Sequence, residues 1–237
     1  MTLCDVHIPC FRRDKVARRK RIDMNTKQDA MPSAVRTRLR KATHSAHVRL
    51  NRNPMLHRLT EADLTLADYL NVIQAYDFFY QRLESRIAQA TPLIDDAFPY
   101  ASRSKAGWLA TDQSRLGIVM PAQPPLTETE WDFGVIDGIG QLAGVLYVIE
   151  GATLGGQVIG HHLEENLGLT RESGARFFHG YGADTDACWQ EFCVWLETLS
   201  PQANQIERAE HAARTLFSKL ETLLGACSAV AHETGQR

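Results

Sequence analysis

The sequence predicts an all-α protein with one folded domain. Apolar residues recur at intervals of three and four along most of the chain, which is the period of an amphipathic helix. Sustained alternation of apolar and polar residues, the pattern of a strand, is nearly absent. The 237 residues are 44% hydrophobic and 23% charged, an ordinary composition for a globular domain of this length. We expect this domain to span residues 31–237, after a basic segment, 1–30, that we expect to be disordered.

Start and stop residues set the bounds of the expected helices. Ser33 is a plausible N-cap for the first helix, and Asn53-Pro54 ends it. Thr65 opens the second helix, whose aromatic stripe we interpret as core, and Gly168 follows the fourth. The predicted helices are residues 34–51, 66–89, 100–117, 138–166, 184–200 and 202–233.

The most informative stretch is the glycine-rich run 142–160, which has helical composition and no proline. Each glycine inside a helix costs about 1 kcal/mol relative to alanine, so a helix with five of them needs a bare backbone. Gly151 and Gly155 are four residues apart and share a face, and Tyr147 lies on the same face. A phenol followed by a glycine floor indicates a planar ligand that rests on the helix backbone.

The same run is about as long as a bilayer is thick, and small residues recur in it every fourth position, as in membrane helix pairs. However, Glu150 lies in mid-span, Gln157 follows, and no basic residues flank the run. We therefore predict a buried core helix and no membrane span.

Composition excludes several other classes of protein. The net charge of −2 gives no indication of a nucleic-acid partner. Five widely spaced cysteines without a Cys-x-x-Cys pair argue against a disulfide framework and favour a reducing, cytoplasmic location. Residues 1–30 have no apolar centre typical of a secretion signal.

The first helix carries two candidate metal ligands, His44 and His47, three residues apart. Neutral imidazole binds iron, zinc or copper well, although a helical histidine is more often a surface or packing residue. Arg40 lies seven residues, about two turns or ~10 Å, before His47 on the same face. A cation there suits an acidic substituent at the edge of a planar metal complex.

A second possible metal site is the pair His162 and Glu165, whose spacing occurs in di-iron carboxylate bundles. Such a centre needs several more inward carboxylates, and the other helices do not repeat this pattern. We favour a solvated helix end at these residues.

Two segments together resemble the heme oxygenase family. Residues 39–47, Leu-Arg-Lys-Ala-Thr-His-Ser-Ala-His, resemble the proximal helix, whose last histidine is the axial iron ligand in that family. Residues 146–156, Leu-Tyr-Val-Ile-Glu-Gly-Ala-Thr-Leu-Gly-Gly, resemble the distal helix, whose glycines let the backbone lie over the heme. The sequence of the second motif is most similar to that of the bacterial heme oxygenases associated with bacteriophytochromes.

The resemblance implies a fold in which heme lies between a proximal helix and a kinked distal helix. It implies that His47 binds the iron and that Arg40 faces a heme propionate. The further site residues that it implies are the distal glycines Gly151, Gly155 and Gly156, the propionate neighbour Tyr147, and the pocket residues Phe178 and Tyr181.

One position departs from the mammalian members of the family. Their first distal glycine is followed by an aspartate that organises the pocket waters, and this chain has Ala152 there. Thr153, Gln157 or backbone carbonyls would have to hold those waters. The basic residues that grip propionates in mammalian members also have no clear match near Gln190 and Val194.

The resemblance further implies that heme is both cofactor and substrate, cleaved with O2 to biliverdin, CO and ferrous iron. The chain has no flavin or iron–sulfur motif, so electrons are expected from a ferredoxin or flavodoxin reductase system. A bacteriophytochrome is the expected recipient of the biliverdin. The alternatives are a di-iron or thiaminase-like enzyme on the same fold, and a heme carrier without turnover.

Overall fold

The computed structural model describes residues 34–118, 126–127 and 132–234, and the side chains of the last range as far as 229. These residues lie in one compact unit, Pro32–Arg237. The expected disordered segment 1–30 and the expected cap Ser33 lie outside the described residues. Eight α-helices account for most of the described part: α1 Ala34–Asn51, α2 Pro54–Arg58, α3 Leu66–Ala90, α4 Ala106–Arg115, α5 Ile139–Leu167, α6 Arg176–His179, α7 Thr185–Leu196 and α8 Ala203–Thr234. The all-α prediction is confirmed.

Local capping explains why several helix bounds were predictable. Thr65 and Asp68 form a capping box at the start of α3, each side chain accepting a backbone N–H of the other residue. Gly168 ends α5 in the left-handed conformation, with φ of 65°. Asn53 accepts the N–H of Met55 and so caps α2, a one-turn helix that the sequence reading did not predict.

The predicted helix 100–117 is wrong in its first third and ends two residues earlier than predicted. Residues Tyr100–Arg103 form a 3₁₀ turn, and α4 begins only at Ala106. The physical reason is a carboxylate from another helix: Glu84 of α3 accepts the backbone N–H groups of Lys105 and Ala106 at 2.6 and 3.1 Å. This capping starts the helix where the tertiary contact places it. The predicted helix 184–200 likewise ends early, and Glu197–Leu199 is a 3₁₀ turn.

Helix α5 forms the centre of the fold, with α8 along one side and α6 and α7 on others. Its first glycines allow a close approach to α8. A Cβ added at Gly140 would lie 2.6 Å from the Gln205 carbonyl oxygen, and one at Gly144 would overlap the carbonyl of Ala209. Part of the small-residue repeat therefore serves helix packing inside the protein.

By length and composition α5 could cross a membrane, since its most apolar window has a mean hydropathy of 1.4. Among the described helices it is the one that meets this criterion. Its central residues are nevertheless packed against the neighbouring helices; Leu142, Leu146 and Leu163 are fully buried. These contacts are those of a core helix.

Candidate functional site

A cavity of about 520 Å³ lies between α1 and α5 and is closed by α3, α6 and α8, a size ordinary for a cofactor or ligand site. Both predicted motifs face it. Helix α1 contributes Arg40, Thr43, His44, His47, Leu50 and Asn51, and helix α5 contributes Tyr147, Val148, Ile149, residues 151–156 and Ile159. The structure thus brings together two segments that are about 100 residues apart in the sequence.

On the α1 side, the imidazole of His47 lies at the cavity wall, with its ring edge against Phe217 at a centroid distance of 6.1 Å. Its Nδ1 is 3.4 Å from the side-chain amide of Asn51, one turn later on the same helix. An asparagine amide can present either an oxygen or an NH₂ group to a ring nitrogen, so Asn51 can support the tautomer that leaves Nε2 free. In that tautomer Nε2 would be the nitrogen available to a metal ion.

Partial burial lowers the pKa of His47, and the neighbouring His44 lowers it further. The imidazole therefore stays neutral, and able to bind a metal, to a lower pH than a free histidine. His44 lines the same cavity, but it lies one turn nearer the helix start.

One edge of the cavity is polar and reaches solvent. Arg40 is exposed there, on the face of α1 that carries His47. Burial raises the pKa of the Tyr147 phenol, whereas a hydrogen bond with Thr43 and the positive charge of Arg40 oppose that rise. Arg40 and Tyr147 are thus near neighbours across the cavity mouth, and this edge suits carboxylate groups.

The glycines of α5 divide into two sets. Gly151 and Gly155 line the cavity with open space above them: a Cβ at Gly155 would meet nothing within 4 Å, and one at Gly151 would meet only the Trp189 ring, at 3.7 Å. Gly156 borders the cavity too, but a Cβ there would lie 3.0 Å from the carbonyl oxygen of Phe178. Its missing side chain therefore serves the packing of α6, as does that of Gly160, against the His179 ring.

Aromatic side chains form the wall opposite the open edge. Phe177 and Phe178 of α6 are buried against Tyr76 of α3, at centroid distances of 5.3 and 5.9 Å. Tyr76, Phe79 and Tyr80 belong to the stripe that the sequence predicts as core; they are buried, and they also line the cavity. Phe178 thus lies where it was expected.

The short helix α6 is held in place by Asp112, a fully buried residue of α4. Its carboxylate accepts the N–H groups of Arg176 and Phe177, both at 2.8 Å. Replacing Asp112 with alanine leaves the buried N–H of Phe177 and the part-buried N–H of Arg176 without this partner, and we expect the free energy of unfolding to fall by about 2 kcal/mol. Urea denaturation of the unliganded chain measures this. A loss below about 0.5 kcal/mol would show that α6 holds its position without this cap.

Two further residues lie away from their expected places. Tyr181 is not among the cavity-lining residues, because its hydroxyl donates to the carboxylate of Glu150 at 2.9 Å, outside the cavity. Of the side chains considered for holding water, Gln157 turns toward the Gly182 carbonyl. Thr153 does line the cavity, and its hydroxyl donates to the Glu150 carbonyl at 2.6 Å.

The sequence reading missed a buried ionic cluster next to the cavity. Glu150, 1% exposed, accepts hydrogen bonds from Lys105 at 2.6 Å and Arg103 at 2.9 Å. The available signal was Glu150 itself, a carboxylate in the middle of an apolar helix, which needs a cationic partner when buried. The partners of Glu150 could not be predicted, because Arg103 and Lys105 fall in a stretch predicted as one continuous helix.

The di-iron alternative finds no support in the part of the chain that the structure describes. There, no three His, Cys, Asp or Glu side chains come close enough to share a metal ion. His161 pairs with Glu165 at 3.2 Å on the exposed surface, as expected for a solvated helix end.

Comparisons with known proteins give a partial family match and two structures of similar fold. The family model for heme oxygenase matches residues 139–225, which span α5 to most of α8. The fold is similar to that of the heme oxygenase from Leptospira interrogans, at 18% identity and a TM-score of 0.66, covering 81% of this chain and 98% of the other. It is also similar to the NO- and CO-bound heme oxygenase from Neisseria meningitidis, at 19% identity and a TM-score of 0.65, covering 81% and 91%. None of the curated proteins matches.

The fold is therefore that of the bacterial heme oxygenases, with the region 139–225 matching their family model. The expected heme oxygenase fold is confirmed, and the match over residues 139–225 supports the expected relationship to that family. The bacteriophytochrome-associated type stays a prediction.

Proposed function

We propose that this chain binds heme in the cavity between α1 and α5 and cleaves it with O2 to biliverdin, CO and ferrous iron. One observation carries the proposal: the histidine of the proximal motif and the two bare glycines of the distal motif line the same cavity. The family match over residues 139–225 supports the class of enzyme, and this arrangement supports the proposed roles of the residues.

The residues present fit a heme. A planar macrocycle needs a flat floor, and Gly151 and Gly155 leave the backbone of α5 bare where no side chain intervenes. An axial nitrogen ligand is available in His47, and the two propionates can lie at the polar edge beside Arg40 and Tyr147. The aromatic wall accommodates the apolar edge of the ring.

In this site His47 would hold the iron, and Asn51 would orient the imidazole. Heme, when bound, supplies the iron that activates O2 and the meso carbons that are cleaved. Gly151 and Gly155 would leave space free of side chains on the α5 side of the cavity, where a small ligand has room. Phe178 and its aromatic neighbours exclude bulk water there, and Thr153 offers a hydroxyl oxygen that can accept a hydrogen bond from an ordered water.

The electrons come from a separate protein in this proposal, a ferredoxin or flavodoxin reductase system. The bacteriophytochrome as recipient of the biliverdin and the cytoplasmic location belong to the same proposal. The proposed bacteriophytochrome recipient rests on the sequence of residues 150–156. It is tested by mixing the reaction products with an apo-bacteriophytochrome and following the formation of its chromophore band.

Turnover separates this proposal from a heme carrier. Purified protein is titrated with heme, and a Soret shift is expected at one heme per chain. The complex is then reduced under anaerobic conditions and exposed to O2, and we expect the Soret band to disappear as biliverdin and CO form. A stable complex that returns to the ferric state without biliverdin would instead identify a carrier.

The role of Arg40 is tested by reversing its charge. Arg40→Glu places a carboxylate where a propionate is expected, and we predict about tenfold weaker heme binding or a changed biliverdin isomer. Lys41→Glu is the matched control, because it makes the same charge change one residue along α1, at an exposed position outside the cavity lining. Equal effects of the two substitutions on affinity, with an unchanged isomer, would contradict a specific role for Arg40.

A further inference from the structure

Glu150 is the last residue before the glycine floor of α5, and it anchors a buried cluster of charges. Its carboxylate accepts hydrogen bonds from Lys105 Nζ at 2.6 Å, from Arg103 Nη1 at 2.9 Å and from the Tyr181 hydroxyl at 2.9 Å. Lys105 and Glu150 are each 1% exposed, and Arg103 is 6% exposed. The cluster is thus shielded from bulk water.

Lys105 connects the cluster to the cavity, because it lines the same cavity as Gly151 and Thr153. Its ammonium group also donates to the Arg103 carbonyl and to the Tyr181 hydroxyl, each at 3.2 Å. Burial lowers the pKa of Lys105, while the charge and hydrogen bond of Glu150 raise it. The partners of this ammonium fix it in one position at the cavity wall.

The cluster holds two cations, Arg103 and Lys105, and two carboxylates, Glu150 and the part-buried Glu84, which accepts the backbone N–H of Lys105 at 2.6 Å. Of these four residues, Lys105 is the one that lines the cavity. Arg103 makes a second ion pair with Glu191 at 2.7 Å, but the Glu191 side chain is 60% exposed and therefore well screened by water. Buried ion clusters are costly compared with apolar side chains of similar volume, so their presence beside a ligand cavity points to a task beyond stability.

We propose that Lys105, held by Glu150, sets a positive potential on the glycine side of the cavity, so that an anionic ligand opposite His47 is favoured over a neutral one. The position after Gly151 is Ala152, which has no polar side chain. The ammonium of Lys105 is therefore a charged group at this wall that the side chain at position 152 does not supply. This inference rests on the proposed function, since it requires heme in this cavity.

Four chains test it: the parent, Lys105→Met, Glu150→Gln and the double variant. Counting Lys105, Arg103, Glu150 and Glu84, the net charges of the cluster are 0, −1, +1 and 0. Each chain is loaded with ferric heme at pH 6.5, and the Kd values for azide, an anion, and for nitric oxide, a neutral ligand, are measured from the Soret spectrum. Tyr69→Phe, which loses a buried hydrogen bond to the Gly174 carbonyl outside the cavity, is the control for lost stability.

We expect azide binding to weaken about tenfold in Lys105→Met, to strengthen in Glu150→Gln, and to return near the parent value in the double variant. Nitric oxide binding should change much less in all of them, and Tyr69→Phe should lower the Tm while leaving both affinities unchanged. If the cluster serves only to stabilise the fold, both single variants lower the Tm and change the azide affinity in the same direction. That result would overturn the inference.

The double variant keeps the test valid where a single variant folds poorly, because it removes both members of the ion pair together. If the azide affinity of the double variant is as far from the parent value as the affinity of Lys105→Met is, the inference fails. If the parent chain itself gives no heme complex, the proposed function fails and this inference with it. If heme binds and the azide affinity is the same in all four chains, only the inference fails.

Discussion

Replacing His47 with alanine is expected to weaken heme binding about 100-fold or more and to remove turnover, because loss of a neighbour of a metal ligand alone typically costs 10- to 100-fold. The ring of His47 is at the cavity wall with its Nδ1 next to Asn51, so its removal leaves a space of imidazole size at that wall. Free imidazole should fill this space and restore the spectrum of a histidine-ligated heme. The measurements are the heme Kd and the Soret spectrum with and without imidazole.

His44→Ala is the matched control for this substitution. His44 lies on the same helix and lines the same cavity, but it is one turn away from the position that matches the proximal ligand. We expect its removal to leave the histidine-ligated spectrum intact and to raise the pKa of His47 slightly, since His44 contributes to lowering it. If His44→Ala abolishes the spectrum and His47→Ala does not, the ligand has been assigned to the wrong histidine.

Local signals in the sequence were sufficient for the helices that bear the two motifs. Helix α1 begins and ends at the predicted residues, and α5 differs from its prediction by one residue at each end. The reason is that caps, stop residues and apolar period act over a few residues and are all present in the sequence. The pairing of the two helices across a cavity came from the resemblance, because no local signal reports it.

Tertiary contacts decided the features that the sequence reading missed. The start of α4 is set by Glu84, about 20 residues earlier in the chain, and the partners of Glu150 lie 45 and 47 residues before it. The resemblance implies a pocket position for Tyr181, but its hydroxyl is bound by the same buried carboxylate. An ionisable residue inside an apolar helix was the one sign that such contacts exist.

Substitutions at the glycines of α5 distinguish positions needed for the packing of the fold from positions needed for ligand binding. A methyl group at Gly144 would overlap the carbonyl of Ala209, which is backbone and cannot move aside without shifting α8. We therefore expect Gly144→Ala to lower the free energy of unfolding by about 3 kcal/mol, at the upper end of what overpacking costs. Urea denaturation of the unliganded chain measures this, and an unchanged midpoint would show that α5 and α8 can separate at little cost.

Gly155→Leu is expected to stabilise the unliganded chain and to weaken heme binding. Nothing lies within 4 Å of a Cβ at Gly155, and the position faces the open cavity, so the better helix propensity of leucine should stabilise the unliganded chain by up to about 1 kcal/mol. The same side chain projects into the space that a planar ligand needs, so heme affinity should fall about 10- to 100-fold. A variant that is stable and still binds heme as tightly as the parent would show that the ligand does not lie on this face of α5. Loss of heme binding together with gained stability means instead that this glycine is kept for the ligand, at the expense of the helix.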